Sequence, residues 1–346
     1  DRIAIRQGDA GQLPQARGRE VSDAVRNAVG KLAAGDRPSP GEIGSAFQAI
    51  LAGEAEPALI AAFLMGLRIR GETVEDIVAG VQVMRATMRP AKAPEGAIDT
   101  CGTGGLSWTS LNTSTAVALV AAGAGVVVAK HGNRSKSRAG SADVLEALGV
   151  NLSPTDAQIE ASFREARVAF MFAQQHHTAM KYVAPVRQAL GMRTIFNMLG
   201  PLANPAGVKR QVMGVFAPEW VEPIASAMLA LGAKRAMVVH GLDGMDEIST
   251  TGETLVADVK DGSVRVHSLT PESLGVPRAE LDQLRGGTVA ENAEALKRVL
   301  GGEAGEAELG LELAVGLGGD ALAVEEAAVE VEHLAHADLR LVGVEA

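Results

Sequence analysis

The residues of this chain best suited to chemistry lie between Asp99 and Asp143. A glycine run, a hydroxyl run and a basic run follow one another there: Gly102-Thr103-Gly104-Gly105, Asn112-Thr113-Ser114-Thr115 and Lys130-His131-Gly132-Asn133-Arg134. Glycine brings backbone N–H groups close to phosphate because it accepts positive φ and has no side chain. Free N–H groups at a helix start also favour anions. The series predicts a ligand with more than one phosphate group.

Each run also has a simpler interpretation. Glycines alone are typical of an ordinary turn, and a single hydroxyl residue is enough to cap a helix. A run of basic residues usually forms a solvated surface loop. We favour a phosphate-facing loop because the basic run follows a buried-type strand, in a chain whose formal net charge is -10.

Two further features carry charge that a ligand could use. The guanidinium of Arg187 could clamp a carboxylate, and its simpler role is an ion pair with a helix acid. Asp246 and Glu247 supply the hard oxygen ligands that Mg²⁺ prefers, and an acidic surface turn has the same composition. We find no nucleophile–histidine–carboxylate arrangement and assign no general acid or base.

The apolar pattern predicts the elements that position these residues. Helical spacing and capping residues predict helices in residues 21–90, at 21–34, 43–52, from Pro57 to near Gly66, and 73–88. From Ala97 onward, short strands alternate with helices, with strands beginning at 98, 126, 168, 210 and 235. This alternation predicts a parallel sheet with ligands at the carboxyl ends of its strands.

Turn chemistry gives three local predictions. Thr113, Ser114 or Thr115 caps the helix after the glycine run, and Ser141 caps a helix over 142–148. Residues 197–205 contain glycine and two prolines, so they are predicted to form a rigid non-helical linker.

The predicted fold class is α/β, with a small all-helical N-terminal domain and a larger α/β domain with a mainly parallel central sheet. Residues 1–20 are expected to be a flexible extension and 21–90 the helical domain, joined by part of 175–205. Residues 97–346 are expected to form the α/β domain.

Composition excludes several classes of function. The net charge of -10 argues against a nucleic-acid or anionic-membrane partner. The most apolar stretch, 115–129, is too short to cross a bilayer, and no secretory signal precedes the first domain. Cys101 is the only cysteine, which favours a reducing, cytoplasmic location.

Taken together, the motifs resemble those of the anthranilate phosphoribosyltransferases over roughly residues 21–300. Any one motif is weak, but their order and spacing are specific. Besides the three runs above, they are Gly140-Ser141-Ala142-Asp143, His176-His177-Thr178-Ala179-Met180-Lys181, Arg193-Thr194-Ile195-Phe196-Asn197, Gly200-Pro201-Leu202-Ala203-Asn204-Pro205 and Asp246-Glu247-Ile248-Ser249.

The resemblance implies a nucleoside phosphorylase/phosphoribosyltransferase-like fold, with residues 97–346 as the phosphoribosyl-binding domain, and a homodimer built through the helical part. It implies transfer of the phosphoribosyl group from phosphoribosyl pyrophosphate to anthranilate in tryptophan biosynthesis, with Mg²⁺ as cofactor.

The resemblance also implies site residues. His131, Asn133 and Arg187 line the path of anthranilate, with Arg187 paired to its carboxylate, and Asp246, Glu247 and Ser114 bind Mg²⁺. The full substrate-binding set is Gly102, Thr103, Gly104, Gly105, Thr109, Asn112, Ser114, Thr115, Lys130, His131, Gly132, Asn133, Ser141 and Arg187.

The chain departs from the family pattern at three places. Leu106 stands where the family usually has Asp, the stretch 135–139 is shorter, and the tail after about residue 302 does not read like the family's C-terminal helices. Two alternatives therefore stay open: an enzyme like the pyrimidine nucleoside phosphorylases, and a non-catalytic relative that binds nucleic acid or a ligand. Arg187 and the acid pair favour the transferase.

Overall fold

The computed structural model describes residues 14–105, 108–135 and 139–301. Its N-terminal part is a bundle of helices: α1 Pro14–Ala34, α2 Pro40–Ala52, α3 Pro57–Arg70 and α4 Val74–Thr87. Capping boxes at Ser39 and Thr73 satisfy the free amides at the starts of α2 and α4. The helix α1 begins at Pro14, earlier than the predicted start at Val21, while residues 1–13 lie outside the described part.

The rest of the described chain is built on one seven-stranded sheet. Its strands are β1 Ile98–Gly102, β2 Val128–Gly132, β3 Val168–Phe172, β4 Arg210–Gly214, β5 Arg235–Gly241, β6 Thr254–Lys260 and β7 Ser263–Leu269. The strand order is β3-β2-β1-β4-β5-β6-β7, parallel from β3 to β5 and antiparallel beyond. The predicted fold class is confirmed, although the antiparallel hairpin of β6 and β7 was not foreseen.

Helices connect the strands. They are α5 Thr113–Gly123, α6 Ser141–Ala147, α7 Asp156–Ala166, α8 Ala173–His176, α9 Ala184–Leu190, α10 Phe196–Leu202, α11 Val221–Ala230 and α12 Val289–Leu300. Short 3-10 turns stand at Thr178–Tyr182, Pro218–Trp220, Glu272–Leu274 and Leu281–Leu284.

The strand order changes direction between β1 and β4. The connection from β1 runs outward through β2 to β3, then crosses back to β4 on the other side of β1. Loops after β1 and β4 therefore leave in opposite directions and open a crevice at the carboxyl ends of these strands, where ligands of open α/β sheets bind.

The helical bundle and the sheet share one large core. Phe47 of α2 packs edge-to-face against Phe63 of α3 and against Phe196 of α10, with ring centroids 5.4 and 5.6 Å apart. The same core contains Ile224 of α11 and Val238 of β5. The segment holding α9 and α10 thus returns to the bundle, although it comes late in the sequence.

Three local predictions differ from the structure. Residues 196–202 form α10, with Pro201 inside, because the buried side chains Phe196, Met198, Leu199 and Leu202 are held in the shared core. The N-cap of α5 is Asn112, and that of α6 is Gly140, not Ser141. The described residues contain no helix with the length and apolar character that a membrane span requires.

Leu106, residues 136–138 and the tail 302–346 lie outside the described residues.

Candidate active site

The glycine loop begins where β1 meets β4. Gly102 pairs with Gly214, and the Thr103 amide donates to the Gly214 carbonyl at 2.9 Å. Gly104 and Gly105 then have φ of 64° and 124°, a region that favours glycine. The sequence needs glycine here for backbone conformation, so the loop exposes amides instead of side chains.

A second loop, 242–249, carries the acid pair and lies directly against the strand ends. A Cβ built on Gly214 would overlap the Asp246 carbonyl group, and one on Gly102 would lie 2.7 Å from Asp246 Oδ2. Asp243 holds this acidic loop: it accepts from the Met245 amide at 3.0 Å and from the hydroxyls of Ser249 and Thr251. The acid pair is therefore fixed by contacts on both sides.

The carboxyl groups of Asp246 and Glu247 are buried close to each other, and both have raised pKa values. Burial raises the pKa of Asp246, and the Gly104 amide opposes that rise. Desolvation and the neighbouring Asp246 raise the pKa of Glu247 to about 8, against the opposing charge of Lys130. In residues 14–105, 108–135 and 139–301, no basic side chain lies within ion-pair distance of either carboxyl group.

This donor set fits Mg²⁺. Mg²⁺ takes oxygen ligands and is commonly held by one or two carboxylates together with substrate phosphates. A divalent cation would also relieve the repulsion that raises the pKa of Glu247. Ser114 could supply a hydroxyl, because Glu247 interacts with its backbone amide.

The start of α5 is held open by side-chain contacts. Asn112 makes no side-chain cap; its Nδ2 donates to the Ala139 carbonyl at 3.0 Å, and its Oδ1 accepts from Asn292 at 2.9 Å. Side chains that would otherwise cap the helix are thus used elsewhere, which leaves amides at the first turn for an anion.

Thr115, also in the predicted set, is enclosed in the structure. Its amide donates to the Asn112 carbonyl at 2.9 Å, and its side chain is buried with only 1% exposed. Its hydroxyl has no hydrogen-bond partner among the described residues, so its place in the substrate-binding set stays a prediction.

Lys130 extends from β2 to the start of α5. Its Nζ donates to the Thr100 carbonyl at 2.7 Å and lies 3.3 Å from Ser114 Oγ. Burial lowers the pKa of Lys130, while the negative charges of Asp99 and Glu247 oppose that effect. The ammonium group therefore sits between the strand ends and the start of α5.

Asp99 and Asn204 were not predicted as site residues. Asp99 is fully buried on β1 and accepts from the His131 amide at 3.0 Å and from Asn204 Nδ2 at 2.8 Å. Asn204 also donates to the Ala129 carbonyl at 2.8 Å. These contacts fix β2 beside β1, and the signal available in the sequence was an acid inside an otherwise apolar strand.

His131 lies against His177, with ring centroids 5.2 Å apart. Burial lowers the pKa of His131 well below its usual value and that of His177 to about 4. Both rings are neutral near pH 7, and Nε2 of each is buried without a hydrogen-bond partner in the structure. The pair therefore places two uncharged, tilted rings with free ring nitrogens side by side in the interior.

The basic loop is anchored by an acid. Asp143 accepts from the amides of Gly140 and Ser135 at 3.1 Å, and Arg134 pairs with Asp143 and Glu146. The charge of Arg134 is thus already compensated by two carboxylates. That the loop faces phosphate stays a prediction, and Arg134 would contribute less net charge to it than its sequence suggests. Of the other loop residues in the predicted set, Asn133 is exposed, Gly132 ends β2, and Ser141 Oγ lies 3.4 Å from the Asn133 carbonyl.

Arg187 has no acid partner among the described residues, so the ion pair that was its simpler interpretation is not found there. It donates to Asn197 Oδ1 at 3.2 Å and lies over the Phe196 ring, while its Nε has no partner. Its half-buried guanidinium is available to a carboxylate ligand. The carbonyl of Thr109, also in the predicted set, accepts from the Gly286 amide at 2.9 Å.

Comparisons with known proteins show the family to which this chain belongs. Residues 94–338 match the α/β domain of a glycosyl transferase family, and 26–88 match its helical bundle domain. The chain is 56% identical over 278 residues to the anthranilate phosphoribosyltransferase of Parvibaculum lavamentivorans, covering 80% of this chain and 82% of that protein. The chain belongs to the anthranilate phosphoribosyltransferase family. These enzymes transfer a phosphoribosyl group to anthranilate in tryptophan biosynthesis.

Solved structures of anthranilate phosphoribosyltransferases share the fold. The enzyme from Thermus thermophilus has a TM-score of 0.83 and 44% identity, covering 90% of this chain and 94% of that one. The enzyme from Saccharomyces cerevisiae, in complex with PRPP (phosphoribosyl pyrophosphate) and Mg, has a TM-score of 0.82 and 24% identity, covering 94% and 97%. The relatives decide for the transferase over the nucleoside phosphorylase and the non-catalytic relative that the sequence left open.

Proposed function

We propose that phosphoribosyl transfer takes place in the crevice between the glycine loop, the start of α5 and the acidic loop. One observation supports this most strongly: the amides of Gly104 and Ser114 interact with the carboxyl groups of Asp246 and Glu247. Anion-binding amides and cation-binding carboxylates thus meet at one point, as a metal-bound diphosphate requires.

In this proposal, Asp246 and Glu247 hold Mg²⁺, with Ser114 as a further oxygen ligand. When bound, the ion neutralises charge on the diphosphate and favours its departure. The ion in the yeast relative is consistent with this assignment.

The phosphate groups of PRPP are held by the chain's own donors. The glycine-loop amides and the first turn of α5 bind phosphate oxygens, and Lys130 adds a positive charge beside Ser114. These groups stabilise the charge that develops on the leaving diphosphate as the bond to the sugar C1 breaks.

The acceptor side needs no strong base. The aromatic amine of anthranilate is neutral at pH 7, so the site has only to place it in line with the sugar C1. Arg187 would pair with the anthranilate carboxylate, and neutral His131 and exposed Asn133 would line the path to it.

The acid pair gives the direct test. The double variant Asp246→Ala and Glu247→Ala is expected to lose almost all turnover, measured as the loss of anthranilate fluorescence with PRPP and Mg²⁺. Asp36→Ala with Glu95→Ala removes the same charge from exposed positions and should keep wild-type turnover. Near-normal turnover of a folded acid-pair variant would refute the assigned role.

We also propose a homodimer built through the helical bundle and a cytoplasmic location. Ile69 on α3 is 75% exposed, more than any other large hydrophobic side chain in the described part of the protein. A single exposed apolar side chain is common on protein surfaces, so the proposal follows the family resemblance, and Ile69 gives a position at which to test it. The location is proposed because the single cysteine allows no intrachain disulfide.

A further inference from the structure

We propose that Arg193 is a positioning residue: from the segment between α9 and α10, it holds the glycine loop in the conformation that binds the diphosphate. The inference rests on the proposed assignment of this loop to PRPP. Arg193 belongs to the family-like motif Arg193-Thr194-Ile195-Phe196-Asn197, which by itself gives the side chain no role.

The contacts of Arg193 join two parts of the molecule. Its Nη2 donates to the Gly105 carbonyl, so the side chain bridges from the segment after α9 to the loop after β1. Its Cζ lies 4.4 Å from the centre of the Phe216 ring, which follows β4. Phe216 in turn packs against Trp220, with ring centroids 6.4 Å apart. The guanidinium is thus fixed by a ring as well as by its hydrogen bond.

The loop is shaped to receive this side chain. Gly105 has φ of 124°, and a Cβ built there would overlap the Arg193 guanidinium. Only glycine permits both this conformation and this close approach. The adjacent Gly104 amide is the one that interacts with Asp246, so the position of Gly105 sets the position of a proposed phosphate donor.

The guanidinium of Arg193 forms no ion pair with a carboxylate among the described residues. Across the described ranges 14–105, 108–135 and 139–301, no carboxylate lies within ion-pair distance of its guanidinium. Here the charge adds to the positive potential where the diphosphate would lie.

The position of Arg193 also links the two substrate sides. Arg187, which we assign to the acceptor side, lies in the preceding helix α9 and donates to Asn197 of α10. Since Arg193 acts on the glycine loop, its loss should weaken donor binding and leave acceptor binding unchanged.

The test uses the purified chain with saturating Mg²⁺. We expect Arg193→Met to raise the KM for PRPP about tenfold, since hydrogen bonds of charged groups are among the stronger ones. The KM for anthranilate should stay within about twofold, and Arg193→Lys, which keeps the charge, should recover part of the loss. Arg164→Met removes the same charge from an exposed helix position and should match the wild type.

Calorimetry of direct PRPP binding tests the role of Arg193 separately from the proposed function of the site. If the wild type binds PRPP and Arg193→Met has the same Kd and the same KM for it, the role of Arg193 is overturned and the proposed function stands. If the wild type itself does not bind PRPP, the proposed function fails. Should Arg193→Met not fold, Phe216→Leu tests the same support: a raised KM for PRPP alone agrees with the proposal, and wild-type kinetics contradict it.

Discussion

At the scale of single residues, the charged groups of this protein divide by whether their charge is compensated. Arg134 has acid partners, whereas Arg187 and Arg193 have none among the described residues. An uncompensated half-buried guanidinium costs solvation free energy, which other contacts or a bound anion must offset. Arg85 is offset by the Leu202 carbonyl, whereas Arg187 and Arg193 lie beside the proposed crevice, where a substrate anion could also do so.

Arg187 gives a prediction at this scale. Arg187→Ala should raise the KM for anthranilate strongly, because the loss of a charge-assisted pair costs on the order of 2–3 kcal/mol. The KM for PRPP should change little, since Arg187 contacts Asn197 and Phe196 and no residue of the glycine loop in the described contacts. Steady-state kinetics with each substrate varied in turn would check this, and an unchanged anthranilate KM would remove Arg187 from the acceptor site.

At the scale of elements, strand ends decide how close the two loops come. The carboxyl ends of β1 and β4 finish in paired glycines, Gly102 and Gly214, and the backbone of the acidic loop lies on them. Side chains at these positions would push Asp246 away from the Gly104 amide. Glycine is therefore needed at these two positions because the acidic loop packs directly against the strand backbone.

Gly214 gives the prediction for this scale. Gly214→Ala places a methyl group on the Asp246 carbonyl, so the acidic loop must shift. We expect a fall of at least about tenfold in kcat/KM for PRPP, together with a higher Mg²⁺ requirement, because a displaced site geometry is costly. Gly252→Ala is the matched control, since no atom outside its chain neighbours lies within 4 Å of the methyl group it would add. Equal activity of the two variants would contradict this account.

At the scale of the whole molecule, the bundle and the α/β domain are joined through α9 and α10. Phe196 packs on Phe47 of the bundle, and Asn204, just beyond α10, donates to Asp99 of the sheet. Arg85 of α4 also donates to the Leu202 carbonyl, at 2.7 and 3.1 Å. One segment therefore carries Arg187, which we propose for the acceptor side, and joins the bundle to the sheet.

The assembly gives the prediction at this scale. If the dimer forms through the bundle, Ile69→Glu should weaken it, because a charge replaces apolar surface at the contact. Sedimentation over a concentration series should then show a dimer for the wild type and more monomer for the variant. Val266→Glu places the same charge on the exposed edge strand β7 and should leave the dimer intact. A monomeric wild type would rule out the proposed assembly.

The sequence by itself determined the fold class, most strand positions and the residue types of the crevice. Apolar periodicity marks elements, and the glycine run, the hydroxyl run and Asp246-Glu247 carry their chemistry locally, so neighbours in sequence were enough. The predicted caps of α5 and α6 and the predicted non-helical linker over 197–205 were wrong. For the linker, packing of apolar side chains in the shared core overrides the local turn signal of Pro201.

The folded structure adds the burial and the charge partners of those residues. It buried Thr115, gave Arg134 its acid partners, and left Arg187 and Arg193 without one among the described residues. It also brought Asp99, Asn204 and Asp243 into supporting positions. Contacts of this kind join residues as far apart as 105 positions, and charge compensation and desolvation depend on distance in space, which spacing along the chain does not contain.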